Sequence, residues 1–221
     1  MRTKLCETFG IEYPIFAFTR AKEVVVEVSK VGGMGVFGAI AFAVDELEPE
    51  LEWIDQHIDG RPYGVDVVMP AGIVDAAPPD LESMIPERHR AFVEDVLARY
   101  HVPALPESDE EWNGLLAWVH NQARSQVDIA LSHPIKLLAN ALGPPPADVV
   151  EKAHAHIVLV AALIGKAEHA QRQVEAGVDI IIAQGTEAGG HTGDVATMVL
   201  VPEIVDAVAP TPVLAAGGIG T

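Results

Sequence analysis

Gln184-Gly185-Thr186-Glu187-Ala188-Gly189-Gly190-His191-Thr192-Gly193 follows the apolar run Val178-Asp179-Ile180-Ile181-Ile182-Ala183 with no spacer between them. A buried strand therefore passes straight into a glycine-rich loop that carries one imidazole. In parallel α/β proteins ligands bind at the C-terminal ends of strands, and glycines there let the backbone approach a phosphate or a ring plane closely. A generic Gly-Gly-His is equally a surface turn. The polar flanks Gln184 and Glu187 favour a ligand-binding loop. So does a second strand-plus-glycine unit one helix length later, Pro212-Val213-Leu214-Ala215-Ala216-Gly217-Gly218-Ile219-Gly220.

Working outward, short apolar or β-branched runs recur at Tyr13 to Phe18, Met34 to Ile40, Tyr63 to Met69, Ile135 to Ala141, Ile157 to Leu163, Val178 to Ala183 and Pro212 to Ala216. Most are bounded by Gly, Pro or polar turns and read as strands. Helical stretches lie between them at Ala21 to Val31, Asp45 to Asp59, Asp148 to His154, Ala167 to Ala176 and Val201 to Val208. This alternation predicts βα units closing into a TIM (β/α)8 barrel, with an open doubly wound sheet as the structural alternative. About seven strands are found where a barrel needs eight, and such domains run to about 250 residues. The expected fold is thus a barrel truncated after about seven strands, before its last unit.

Residues 71–130 break the alternation between the third and fourth strands. Pro-rich and acidic stretches there surround helix-like segments, Glu87 to Tyr100 and Glu111 to Asp128. That is too long for an ordinary βα loop. The expected organisation is 1–70 as the first barrel units, 71–130 as a helical insertion or lid, and 131–221 as the later units. Leaving from a strand's C-terminal end, the insertion would lie over the barrel mouth. Trp112 and Trp118 read as packing residues of that lid.

Composition narrows the function. With 221 residues and 49% hydrophobic content, the chain can bury a full core, and no long apolar run suggests a membrane span. The N-terminus lacks a signal-peptide pattern, and a lone Cys6 forms no internal disulfide, so a reducing cytoplasm is expected. A formal net charge of −18 repels nucleic acid. An anionic ligand would have to be held by local donors such as backbone N–H groups in glycine loops. His154, His156 and His169 form no metal motif, and no metal is expected. No nucleophile elbow occurs.

The segment Gly177 to Gly220 resembles the FMN-dependent nitronate monooxygenase family, formerly called 2-nitropropane dioxygenases, in which an E-x-x-G-H loop precedes a G-G phosphate loop. Phe9-Gly10-Ile11-Glu12-Tyr13-Pro14-Ile15 and Val31-Gly32-Gly33-Met34-Gly35-Val36-Phe37-Gly38-Ala39 resemble that family's first two strands. FMN-dependent enoyl-thioester reductases of the same superfamily share the histidine loop. The resemblance implies FMN as cofactor, and a nitronate or nitroalkane with O2 as the small-molecule partners. The implied reaction oxidises an alkyl nitronate to a carbonyl compound and nitrite. The alternatives are an FMN- and NAD(P)H-dependent enoyl-thioester reductase, with Lys136, Arg124 and Lys166 available for phosphates, and an inactive truncated flavin-binding barrel. A homo-oligomer stays open.

The same resemblance assigns Gln184 and Gly189 to the flavin and Gly217 and Gly218 to its phosphate cradle. Asp66 stands where the family usually has Asn, and is assigned to the cofactor with a negative charge in place of an amide's donors. Ala17-Phe18-Thr19 replaces an Ala-Pro-Met common in relatives. His191 is the catalytic candidate: an imidazole can take a proton from a carbon acid, or hydrogen-bond a nitro oxygen, near neutral pH.

Overall fold

Strand order in space repeats strand order in sequence. The computed structural model describes residues 2–69, 85–103 and 114–220, with backbone alone for 114–121. Strands β1 (Phe16–Thr19), β2 (Met34–Gly38), β3 (Tyr63–Val68), β4 (Leu137–Ala141), β5 (Leu159–Ile164), β6 (Ile180–Gln184) and β7 (Val213–Ala216) form one sheet in that order. Every adjacent pair is parallel. A doubly wound sheet reverses its order at a switch point, and this one never does. It is the sheet of a TIM barrel carried through seven strands, with β1 and β7 as its edges.

Parallel strands need crossovers. Helices α2 (Lys22–Lys30), α3 (Val44–His57), α4 (Glu87–Arg99), α5 (Gly114–Ser132), α6 (Ala147–Ala155), α7 (Ala167–Glu175) and α8 (Thr197–Val208) supply them, and α1 (Lys4–Phe9) precedes β1. The two-residue period of each strand then builds two cores. Val65 and Val67 of β3 join Leu138 of β4, Val160 and Ala162 of β5 and Ile181 of β6 in an outer core, against Leu47, Leu51 and Ile54 of α3. The opposite strand faces give an inner cluster of Met34, Val36, Leu137, Ala139, Ala161 and Ile180.

Helix α1, which the sequence pattern does not reveal, closes the bottom of that inner cluster. Leu5, Cys6 and Phe9 fall on one helical face, and all three are buried against it. Phe9 meets Phe16 edge to face at 5.6 Å. Met34, Leu137 and Ile180 are the first residues of their strands. The apolar plug therefore sits at the N-terminal ends and leaves the C-terminal end for other chemistry.

Three elements depart from the sequence expectation by three or more residues at an end. Strand β1 starts at Phe16 instead of Tyr13, because Glu12 and Tyr13 both donate their N–H to the Gly32 carbonyl and form a turn. Helix α8 starts at Thr197, four residues before the expected Val201. Helix α5 runs to Ser132, and its Ala123, Val127, Ala130 and Leu131 belong to the outer core, so this half is the crossover helix between β3 and β4. Helix α4 has no buried residue. Residues 71–84 and Trp112 of the expected lid, and the side chain of Trp118, lie outside the described residues.

Candidate functional site

Because every strand is parallel, Gly38, Met69, Ala141, Gly165, Gln184 and Gly217 all come to the same end of the sheet. The loop after β6 is built there in layers. Gln184, the last residue of β6, donates its Nε2 N–H to the Gly189 carbonyl at 2.7 Å. The loop thereby folds back over its own strand. The glutamine amide keeps its oxygen as a spare acceptor.

Three close approaches pin this loop. A β-carbon on Gly185 would collide with Thr197 N and Oγ1 at the start of α8, and one on Gly217 would lie 2.6 Å from Ala188 N. A β-carbon on Gly165, after β5, would lie 2.8 Å from Gly193 Cα. Glu187 supplies the fourth tie: its Oε2 accepts from Thr197 N at 2.8 Å, Thr197 Oγ1 at 3.0 Å and Thr186 Oγ1 at 3.1 Å. These bonds, led by the one from the Thr197 backbone N–H, hold its carboxyl below the usual glutamate range.

Within that fixed frame, polar groups are left over. Among the described residues, none of the backbone N–H groups of Gly189 to Gly193 or of Gly217 to Gly220 is hydrogen-bonded within the protein. Gly217 and Gly218 have φ of 107° and 66°, so consecutive residues turn through the left-handed region, a conformation that gathers N–H groups around an anion. Gly189, Gly190 and Gly220 have nothing within 4 Å of an added β-carbon, so their faces are open. His191 is exposed in the same loop. Gly217 itself is demanded by packing against Ala188, so the group it leaves unbonded is its N–H.

Asp66 lies apart from this cluster, on β3, with β4 and β5 between it and β6. Its parity places it on the inner face, in register with Gly38 of β2 and Ala139 of β4. It is 6% exposed, and its Oδ1 is buried with no hydrogen-bond partner. Burial pushes its carboxyl up to about 7. No basic group among the described residues pairs with it. Phe18 and Arg20 of the β1 end lie over Gly38, their Cζ and Cγ at 2.8 Å and 3.3 Å from the position of its added β-carbon.

The structure thus gathers Gln184, Gly189, His191, Gly217 and Gly218 on two adjacent strand ends, and sets Asp66 on the inner wall. Of the three cations considered for phosphates, only Lys166 is at this end, 4.0 Å from Asp194. Lys136 precedes β4 at the opposite end, and Arg124 pairs with Asp148 between α5 and α6. His154 bonds Asp179 at 2.8 Å while His156 bonds the Lys152 carbonyl, so the two rings serve separate partners.

Sequence reasoning missed Thr197, Gly165 and Asn140. Asn140 is fully buried; its Oδ1 accepts from Met69 N at 2.8 Å and its Nδ2 donates to the Gly143 carbonyl at 2.9 Å. It fastens the β3 end to the β4 loop. A lone amide within Leu137-Leu138-Ala139-Asn140-Ala141 was the available signal.

Comparison with known proteins agrees with this layout. The family model described as nitronate monooxygenase matches residues 2–221. The "Putative monooxygenase Rv1533" of Mycobacterium tuberculosis is 52% identical over 99% of this chain and 60% of its own length. A "Probable nitronate monooxygenase" of Staphylococcus saprophyticus is 29% identical over 99% of this chain and 61% of its own. A solved nitroalkane oxidase from Streptomyces ansochromogenes superposes with a TM-score of 0.75 at 25% identity, covering 98% of this chain and 61% of that one. The chain spans about 60% of the length of the curated relatives it matches. From its parallel strand order, its histidine loop and a match along nearly its whole length, the chain belongs to the nitronate monooxygenase family.

Proposed function

We propose that this chain carries the flavin- and substrate-binding loops of an FMN-dependent enzyme that oxidises alkyl nitronates to a carbonyl compound and nitrite, with O2 as oxidant. One observation carries the reading: two neighbouring strand ends present unbonded backbone N–H groups beside an exposed imidazole, on a loop otherwise tied at four points. Free N–H donors suit a phosphate in a chain of strongly negative charge. The orphaned Asp66 Oδ1 and the open faces of Gly189 and Gly220 also fit a large polar ligand.

In this reading the N–H groups of Gly217 to Gly220 hold the phosphate, while Gln184 and Gly189 meet the ring system. Bound flavin would supply the two-electron oxidation and the route of electrons to oxygen. His191 receives the proton from a nitroalkane carbon or hydrogen-bonds the nitronate oxygens. The buried thiol of Cys6 suits a reducing cytoplasm. Among the described residues no helix is long and apolar enough to cross a membrane.

Purified protein tests the reading directly. Flavin absorbance in the isolated chain, and FMN instead of FAD on extraction, are expected, since the loops offer one phosphate cradle and no dinucleotide fingerprint. Anaerobic mixing with an alkyl nitronate should bleach that absorbance, and NADH or NADPH should not. Bleaching by a nicotinamide alone would move the assignment to the enoyl-thioester reductases.

A further inference from the structure

Among the described residues, Asp66 is a buried acid whose Oδ1 has no hydrogen-bond partner. Its register neighbours on the inner face are Gly38 and Ala139, neither of which can bond it. Around the rest of that face β4 presents Leu137, β5 Leu159 and Ala161, and β6 Ile182 and Gln184, none of them ionisable. From β1, Arg20 reaches over Gly38 but makes no bond to Asp66. From the β6 loop, Glu187 is bound to Thr197, and His191 is exposed. The small residues on both sides leave the carboxyl facing the interior, with one oxygen sealed from solvent. A charged carboxylate in such a place is uncompensated, whereas the neutral acid has an O–H to donate.

Resting on the flavin reading above, we propose that the neutral carboxylic acid of Asp66 donates a hydrogen bond to the bound flavin, so that flavin binding takes up one proton and weakens in alkaline solution. Flavins present carbonyl and ring-nitrogen acceptors along their pyrimidine edge and hydroxyls along the ribityl chain. The phosphate adds negative charge that a second, carboxylate charge would oppose. Burial already raises the proton affinity of Asp66 to where this choice falls near neutrality. An amide makes the same donation with no proton, so Asp66→Asn is the permanently neutral form.

The opposite arrangement, in which the carboxylate accepts from the flavin N–H, predicts the opposite sign: proton release and tighter binding as pH rises. Fluorescence-quench titration of FMN between about pH 6 and pH 8.5, with calorimetry at about pH 8 in two buffers of different protonation enthalpy, separates the two. Other groups, the FMN phosphate among them, exchange protons as well, so the quantity read is the difference between wild type and Asp66→Asn. Wild type should take up as much as one more proton per FMN than the variant. Its affinity should fall relative to the variant by up to about tenfold per pH unit above neutrality. Circular dichroism confirms that both are folded. Proton release, or identical pH profiles in the two proteins with binding intact, overturns the proposal alone. Failure of both proteins to bind FMN at about pH 6 overturns the flavin reading and the proposal with it.

Discussion

Glu187 and Thr197 are joined twice through a single carboxylate oxygen, which accepts from the Thr197 backbone N–H at 2.8 Å and from its hydroxyl at 3.0 Å. The glutamate of the histidine loop is thereby the N-terminal cap of α8, delivered from ten residues earlier in the chain. A cap normally comes from the residue just before the helix. Here that residue is Ala196, which has no side-chain oxygen to offer.

Glu187→Gln should therefore lower the melting temperature at pH 7, by removing the charge from these bonds. The carboxyl is held below its ordinary range, so its contribution is fully present above the unfolded-state value. It is lost as pH falls through the folded value. The difference in melting temperature between wild type and variant should accordingly shrink as pH falls below the ordinary glutamate range of about 4. A difference that persists unchanged in acid would show that the carboxylate charge is not what caps the helix.

Two glycines of the same loop should behave oppositely. Gly185→Ala forces a β-carbon onto Thr197 backbone and side chain, and should cost about 1–3 kcal/mol in denaturant unfolding. Gly189→Ala meets nothing within 4 Å and should melt like wild type. If Gly189 lies against the flavin, the same substitution should nevertheless weaken FMN binding. Wild-type affinity in a normally folded Gly189→Ala protein would remove it from the cofactor contacts.

Ligand-free Asp66→Asn should be more stable than wild type. The carboxyl is raised from the ordinary carboxylate range to about 7, so the folded state binds the proton more tightly than the unfolded chain does. Stability is then lost as pH rises from about 4 to about 7, and stays low above that window. Relative to wild type the variant should gain up to about 4 kcal/mol at pH 8 and about 2 kcal/mol at pH 5. Equal gains at both values would mean that Asp66 does not titrate in this range.

His191 is exposed and bonded to nothing among the described residues, so His191→Ala should fold normally. If the imidazole acts as a base, turnover of a neutral nitroalkane should drop by roughly a hundredfold or more. Turnover of the preformed nitronate should drop less. Equal losses at matched flavin content would assign His191 to binding, and no loss would return it to a surface turn.

The fold was largely written in local patterning. All seven strand candidates are strands, and their separation by helical stretches already required parallel pairing. The loop at Gln184 to Gly193 was legible as a loop too, because a run of glycines directly after an apolar stretch ends the strand. What the pattern misplaced were elements whose ends depend on distant partners. Helix α8 begins at Thr197, where Glu187 accepts its first N–H, and β1 begins late because Gly32 claims the N–H groups of Glu12 and Tyr13.

Sequence alone determined the hydrophobic period, the turns and the residue types, since these act over a few positions along the chain. It named Gly217 as part of a cradle, and only the packed structure assigns that glycine to contact with Ala188, leaving its N–H as the group available to a ligand. It named Asp66 as a departure from an expected amide, and only the sheet register places that carboxyl between Gly38 and Ala139 with one oxygen unbonded. Burial and proximity are properties of strands brought together from 71 residues apart, as Met69 and Asn140 are. A carboxyl's charge state follows from what surrounds it in space, and that is why the tertiary structure decides it.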